Sequence, residues 1–120
     1  MSNALKPITP QDKKWGMVMH LSALIGLLLP LGLVLGPLLV WMLKKNDSTY
    51  LDAQGKSAVN FQLTVLISAF VVILLSAIIR PLAAIAFMIG LAGLVFAVIA
   101  GVSVNKGKGY KYPFSFNIIK

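Results

Sequence analysis

His20 is the residue of the first long apolar stretch whose side chain titrates near neutral pH. Ionisable groups inside such stretches are costly to bury, which makes His20 a candidate for proton transfer or ligand binding. The alternative is a neutral imidazole that forms hydrogen bonds between helices. No carboxylate shares the stretch, and this favours the structural interpretation.

A second set of polar residues follows a helical period further along the chain. At 100° per residue, its members from Ser57 to Ser68 lie within an arc of about 80° on one helix face. A polar face cannot be left unpaired against lipid, so it must contact other helices or a wet cavity. Hydrogen bonding between helices is the favoured interpretation, and the lining of a permeation path is the alternative. This polar stripe consists of Lys56, Ser57, Asn60, Thr64 and Ser68.

Other reactive groups are scarce. The chain has no cysteine, and its three carboxylates are Asp12, Asp47 and Asp52, all outside the apolar runs. No paired carboxylates, metal-ligand cluster, nucleophile elbow or phosphate loop can be recognised. We therefore predict a non-enzymatic protein without a metal or another cofactor.

The composition indicates a membrane protein, so these residues must be positioned by membrane-spanning elements. Of the 120 residues, 58% are hydrophobic and 12% charged, and three runs of 29, 23 and 25 residues carry no charge. About 20 apolar helical residues cross a bilayer, so each run is long enough to span one. The net charge of +8 comes from cations at the edges of these runs, where they meet anionic lipid headgroups. No basic face suited to nucleic acid is present, and we predict no nucleic-acid partner.

Capping signals and helix breakers divide the runs into four helical segments. Thr9 and Pro10 predict the first helix start, and Arg80-Pro81 ends the third segment. Prolines and glycines from Pro30 to Pro37 break the first run into a hairpin, whose returning arm is short or re-entrant. The predicted segments are 10–29, 31–45, 50–79 and 82–104.

The lysines support this hairpin. If the chain reverses between Pro30 and Pro37, all ten lysines lie on one face of the membrane and Arg80 on the other. A single kinked span would give a poorer division of four cations against seven. The positive-inside tendency therefore predicts that both termini are cytoplasmic.

On the fourth segment, Gly93, Ala97 and Gly101 form a small-residue stripe that lets two helix backbones approach closely. Packing within one molecule is the first interpretation, and a homodimer face the second. The predicted organisation is a flexible tail (1–8), a helical membrane domain (9–105) and a basic, aromatic interfacial tail (106–120). In that last part aromatic residues alternate with polar ones from Tyr110 onward, which suggests a short extended segment at the headgroups.

Several of these residues together carry a resemblance. They are Trp15, His20-Leu21-Ser22, Gly26, Pro30, Gly36-Pro37, Trp41, Lys44-Lys45, the block Gly55-Lys56-x-Ala58-x-Asn60-Phe61-Gln62, Lys106-Gly107 and Tyr110-x-Tyr112-Pro113. This pattern resembles a small bacterial membrane-protein family of unknown function related to the twenty-kilodalton subunit of the chloroplast inner-envelope protein translocon. Gln54 and Ser57 depart from it, since a His and a Glu are usual there. The resemblance implies four helices with both ends on one side, in the bacterial inner membrane.

Two non-enzymatic functions follow. The first is a subunit of a membrane transport or protein translocation or assembly complex, and the alternative is a small homo-oligomeric pore or holin-like permeabiliser. Four spans enclose little volume, so we expect any transport role to require association with another copy or with a larger membrane partner. That association would use the Gly93 face or the basic loop from Lys44 to Lys56.

Overall fold

The computed structural model describes residues 8–120, which form four α-helices and contain no β-strand. This confirms the predicted all-α class and the number of helices. A 3₁₀ segment, Ser22–Leu27, follows the first helix. The helices are α1 (Pro10–Leu21), α2 (Gly32–Lys44), α3 (Thr49–Leu75) and α4 (Leu82–Asn105).

Helix α1 begins where its capping residues predict. The Thr9 hydroxyl accepts a hydrogen bond from the Asp12 backbone N–H at 3.0 Å, and the Asp12 carboxylate accepts one from the Thr9 N–H at 3.2 Å. The prediction of one α-helix as far as Leu29 was wrong beyond Leu21, where the chain tightens into the 3₁₀ segment. The Ser22 hydroxyl donates to the Met19 carbonyl at this point, and such local bonds compete with regular helical pairing.

The chain reverses between α1 and α2, but over residues 28–31 instead of from Pro30 to Pro37. Gly32, Gly36 and Pro37 lie inside α2. Gly36 packs so closely against the Ser22 backbone that a Cβ would overlap it. At the other end of this hairpin, the Ser48 hydroxyl donates to the Asp12 carboxylate at 2.9 Å. The end of α2 therefore lies beside the start of α1.

Helices α3 and α4 form a longer antiparallel pair. Ser48 caps α3 by accepting a hydrogen bond from the Leu51 N–H, and α3 ends at Leu75, four residues before the predicted end. With 27 residues against 13 in α2, α3 extends about 20 Å further along the bundle. Helix α1 packs against α4 and α3, and α2 packs against α3.

The core lies in the half of the molecule that all four helices share. Met19, Ala23, Val59, Ala97 and Val104 are fully or almost fully buried there. In the other half α3 and α4 expose large apolar side chains. These include Phe70, Leu74, Phe87 and Met88.

Two helices are long and apolar enough to cross a membrane by length and composition: α3, which contains an 18-residue window of mean hydropathy 2.3, and α4, which contains one of 2.7. Helix α2 is apolar but shorter. Of the predicted flexible tail, residues 1–7 lie outside the described part of the chain. Residues 106–120, named here the C-terminal segment, follow α4 without regular secondary structure.

Candidate functional site: a polar cluster closed by the C-terminal segment

The C-terminal segment folds back along α3 and bonds to its polar stripe. The Asn60 side chain donates to the Ile119 carbonyl at 2.9 Å and accepts from the Ile119 N–H at 2.7 Å. One helical turn further, the Thr64 hydroxyl accepts a hydrogen bond from the Phe116 N–H at 2.9 Å. Side chains of the stripe thus satisfy backbone groups of the C-terminal segment, which has no regular secondary structure to pair them.

The stripe residues have separate surroundings. Asn60 is buried, with 5% of its surface exposed, and protein surrounds it as its position on the stripe predicts. Lys56 lies 3.2 Å from the Asp52 carboxylate, while Ser57 lines a groove beside the C-terminal segment. Ser68 is half-buried, one turn beyond the last contact at Thr64. The C-terminal segment therefore covers the polar stripe at Asn60 and Thr64, whereas neighbouring helices or a wet cavity were expected there.

His20 is completely buried and forms hydrogen bonds through both ring nitrogens. Its Nδ1 lies 2.6 Å from the Tyr112 hydroxyl, and its Nε2 lies 2.8 Å from Oε1 of Gln54. A neutral imidazole protonated at Nε2 satisfies this geometry, because it donates to the amide oxygen and accepts from the phenol. This arrangement leaves neither nitrogen free for a metal, and it joins α1, α3 and the C-terminal segment.

Tyr112 is the residue that the C-terminal segment inserts into the helical domain. Its ring stacks on Phe61 with the ring centroids 4.1 Å apart, and 6% of its surface is exposed. Burial, with a smaller contribution from neighbouring Tyr110, raises the pKa of the Tyr112 phenol well above its usual range. The hydroxyl therefore stays protonated and serves as the donor to His20.

Gln62 adds a further buried polar group at the contact between α3 and α4. Its Nε2 donates to the Gly93 carbonyl at 3.0 Å, whereas its Oε1 has no hydrogen-bond partner within residues 8–120. A Cβ at Gly93 would lie 2.9 Å from Cγ1 of Val65 and 3.0 Å from that Oε1. A side chain at position 93 would therefore displace Val65 and Gln62.

The small-residue stripe packs inside the molecule. Besides the Gly93 contact, Ala97 is fully buried, and a Cβ at Gly101 would lie 2.8 Å from Cδ2 of Leu21. The stripe brings α4 close to α3 at one end and to α1 at the other. These contacts of the stripe lie within one molecule.

The residues that define the block from Gly55 to Gln62 are either buried or in contact with another element. Gly55 lies against the Trp41 indole, where any side chain would collide, and Ala58 is buried with 1% of its surface exposed. Lys56, Asn60, Phe61 and Gln62 have the partners described above. The block thus joins α3 to α2, to α4 and to the C-terminal segment.

Sequence reasoning missed Gln54, Gln62 and Tyr112 as members of the cluster. Gln54 was noted only as a departure from a pattern, and Tyr112 was expected at the headgroups. Gln54 and Gln62 do share a signal in the sequence, since these two amides are eight residues apart on α3 and so lie within about 80° on one helix face. No pattern indicates which distant segment they meet, because that depends on how the C-terminal segment folds back.

The described residues contain no group of three or more His, Cys, Asp or Glu side chains that could hold a metal ion. Asp12 belongs to the cap of α1, and Asp52 accepts a hydrogen bond from the Trp41 indole at 2.8 Å. What the geometry provides is a network of neutral hydrogen bonds, which fixes the C-terminal segment to the helices.

Comparison with known proteins identifies a family. Residues 11–119 match the magnetosome magnetite crystal formation protein family. The match agrees with the expected small bacterial family, but it shows no link to the chloroplast translocon subunit. No curated protein and no solved structure matches the chain.

Proposed function

The chain belongs to the magnetosome magnetite crystal formation protein family. From this we infer that it is a non-enzymatic protein of the membrane that encloses a growing magnetite crystal. The family and the two long apolar helices indicate a membrane-associated protein. The proposal is that it acts by organising that membrane or its proteins, without binding iron.

The exposed apolar surface of α3 and α4 is the observation that carries this proposal. Phe70 is 62% exposed and Phe87 is 69% exposed. Contact of such apolar surface with water is unfavourable, whereas contact with lipid acyl chains is not. We propose a multi-pass topology in which the α1–α2 hairpin enters the same membrane beside the longer α3–α4 pair. The lysines then lie on the cytoplasmic face, whether the membrane is the inner membrane or one derived from it.

The carboxylates support a role that does not depend on iron. Oxygen ligands from several carboxylates are what hard cations require, and here Asp12 and Asp52 bond to protein groups. Asp47 is exposed, and its carboxylate lies 3.6 Å from the Lys44 ammonium. Three aspartates, two of which line one groove together with Lys44, among eleven cations are a poor template for an iron mineral.

The functions expected from sequence, a translocation or assembly subunit and a homo-oligomeric pore, have less support. A pore would need the polar stripe to face water, but the C-terminal segment covers Asn60 and Thr64. The small-residue stripe is also occupied within the molecule, so association must use another surface. The exposed apolar half of α3 and α4 is the surface that we propose for a second copy or a larger membrane partner.

Deletion of the gene in a magnetosome-forming cell tests the function, with crystal size and number measured by electron microscopy. We expect altered crystals that are restored by the wild-type chain and by Asp47→Asn, but not by Gly93→Leu, which disrupts the bundle. Normal crystals after deletion would refute the proposal. Failure of Asp47→Asn to restore them would favour a direct role of that carboxylate in mineral formation.

Partners and iron are tested separately. In-cell crosslinking followed by capture from magnetosome membranes should yield a reproducible membrane partner or a homo-oligomer. Calorimetric titration of the detergent-solubilised protein with Fe²⁺ and Fe³⁺ should give no stoichiometric binding. A monomer without partners that binds iron tightly would overturn the proposal.

A further inference from the structure

A groove of about 520 Å³ lies between α3 and the C-terminal segment. Polar side chains from both elements line it: hydroxyls from Ser57 and Ser115, and amides from Asn60 and Asn117. Asn60 and Ser115 already bond to backbone groups, whereas the Ser57 hydroxyl and the Asn117 amide form no hydrogen bond within residues 8–120. Ser57 begins the 23-residue run of α3 that carries no charge. The groove therefore lies at the boundary between the polar and apolar parts of that helix.

The charge of the groove has one sign. Lys56, Lys111 and Lys120 line it, and no carboxylate side chain does. Lys56 is partly neutralised by Asp52, 3.2 Å away, whereas neither Lys111 nor Lys120 forms an ion pair within residues 8–120. Two cations without a counter-charge, beside the Ser57 hydroxyl and the Asn117 amide as neutral donors, suit an anion with several oxygens, such as a phosphate group.

The outer side of the same segment is apolar. Phe114, Phe116 and Ile118 alternate with the groove residues Ser115 and Asn117, and are 79%, 62% and 47% exposed. One face of the segment thus presents donors to the groove while the other presents large apolar side chains outward. This combination distinguishes a lipid, which has both an anionic head and acyl chains, from a free anion.

We propose that this groove binds the phosphate of one anionic phospholipid, with the acyl chains lying along Phe114, Phe116 and Ile118. Basic pockets at the cytoplasmic side of membrane helices bind anionic headgroups in this manner. The proposal rests on the membrane insertion proposed above. It goes beyond attraction to a charged surface, because it specifies a single site with defined donors.

Native mass spectrometry of the detergent-solubilised protein tests the site with phosphatidylglycerol as the probe. Lys111→Gln with Lys120→Gln should weaken binding on the order of 30-fold, since each lysine near the surface contributes a factor of about five. The control is Lys106→Gln with Lys108→Gln, which removes the same charge from the same segment outside the groove. It should change binding less than about threefold.

A second variant, Asn117→Asp, keeps the side-chain shape and places a negative charge in the groove. It should weaken phosphatidylglycerol binding even if the double lysine variant folds poorly. Phosphatidylcholine should bind more weakly than phosphatidylglycerol, and inorganic phosphate should not displace the lipid at millimolar concentration.

Three results would overturn the site. Equal losses in the two double lysine variants would show that net charge alone attracts lipid. Equal affinity for phosphatidylcholine would remove the selectivity for anions, and displacement by inorganic phosphate would identify a site for free anions. Insertion is read independently from the membrane fraction that survives a carbonate wash, so failure of the groove and failure of the proposed function can be separated.

Discussion

At the scale of single residues, neutral hydrogen bonds hold the C-terminal segment in place. His20, Gln54 and Tyr112 come from three parts of the chain and form hydrogen bonds with one another at a buried site. Buried polar groups of this kind are costly only when one partner is removed. The network is therefore best tested by deleting one donor.

Tyr112→Phe removes the hydroxyl and leaves Nδ1 of His20 without its donor. We expect a loss of about 1 kcal/mol in the free energy of unfolding, since hydrogen bonds between membrane segments average somewhat less and an unpaired buried group somewhat more. Thermal unfolding in detergent measures this. Tyr110→Phe is the matched control, because Tyr110 packs edge-on against Tyr112 at 5.0 Å and has no side-chain hydrogen bond in the described residues. Equal effects of the two variants would contradict the assigned network.

Tyr112 also predicts an alkaline transition. Burial disfavours the phenolate, so the pKa of Tyr112 is higher in the folded than in the unfolded chain. The corresponding stability is fully present below the unfolded pKa of about 10 and is lost as the pH rises above it. Absorbance at 295 nm should show a late ionisation step at high pH that is absent in Tyr112→Phe. A single step for all three tyrosines in the folded protein would refute this.

Residue-scale reasoning from sequence located His20 and Asn60 because each departs from its surroundings, one as an ionisable group and one at the centre of a polar face. Tyr112 could not be found in this way. Its alternation with polar neighbours is compatible with a segment lying at the headgroups, and only the fold shows that Tyr112 points inward against Phe61.

At the scale of elements, the polar stripe positions the C-terminal segment. Asn60→Leu removes both hydrogen bonds to Ile119 and should raise amide hydrogen exchange at Phe116 and Ile119 by about tenfold or less, since such contacts contribute about 1 kcal/mol or less. Ser68→Leu, on the same face but beyond the segment, is the control and should leave this exchange unchanged. Unaltered protection in Asn60→Leu would mean that other contacts hold the segment.

Substitutions at two glycines of α4 distinguish the effect of close packing from the effect of helix propensity. A Cβ at Gly93 would press on Val65 and Gln62, whereas a Cβ at Gly90 meets nothing within 4 Å. We expect Gly93→Ala to destabilise the bundle by about 1–3 kcal/mol through overpacking, and Gly90→Ala to be neutral or slightly stabilising. Both are measured by thermal unfolding in detergent. Destabilisation by Gly90→Ala alone would place the close helix contact at Gly90 instead of Gly93.

Capping chemistry made the helix starts predictable, because Thr9 and Ser48 bond to backbone groups only three residues away. The hairpin was harder to place. Gly36 and Pro37 were interpreted as breakers, yet in α2 the missing side chain of Gly36 allows contact with the Ser22 backbone. A glycine that breaks a helix and one that lets two helices meet have the same sequence signal, so only the packing distinguishes them.

At the scale of the whole molecule, apolar length predicted the α3–α4 pair, and lysine positions predicted which helix ends lie together. The structure places the end of α2, the start of α3 and the C-terminal segment at the same end as the start of α1: Ser48 bonds to Asp12, and the Tyr50 hydroxyl donates to the Lys108 carbonyl at 3.0 Å. The orientation of that end in a membrane is a separate property, which charge governs.

The last prediction is therefore that residue 48 and the C-terminal segment face the cytoplasm, while the α3–α4 turn faces the opposite compartment. The chain has no native cysteine, so single substitutions give clean labelling sites. In intact cells, a membrane-impermeant thiol reagent should label Ala77→Cys, provided that the protein lies in the inner membrane, and should leave Ser48→Cys unlabelled until the cells are opened. External labelling of Ser48→Cys with a cytoplasmic C-terminal reporter would restore a single kinked span for residues 15–43. That result would refute the membrane hairpin, because α1 and α2 could not then lie side by side.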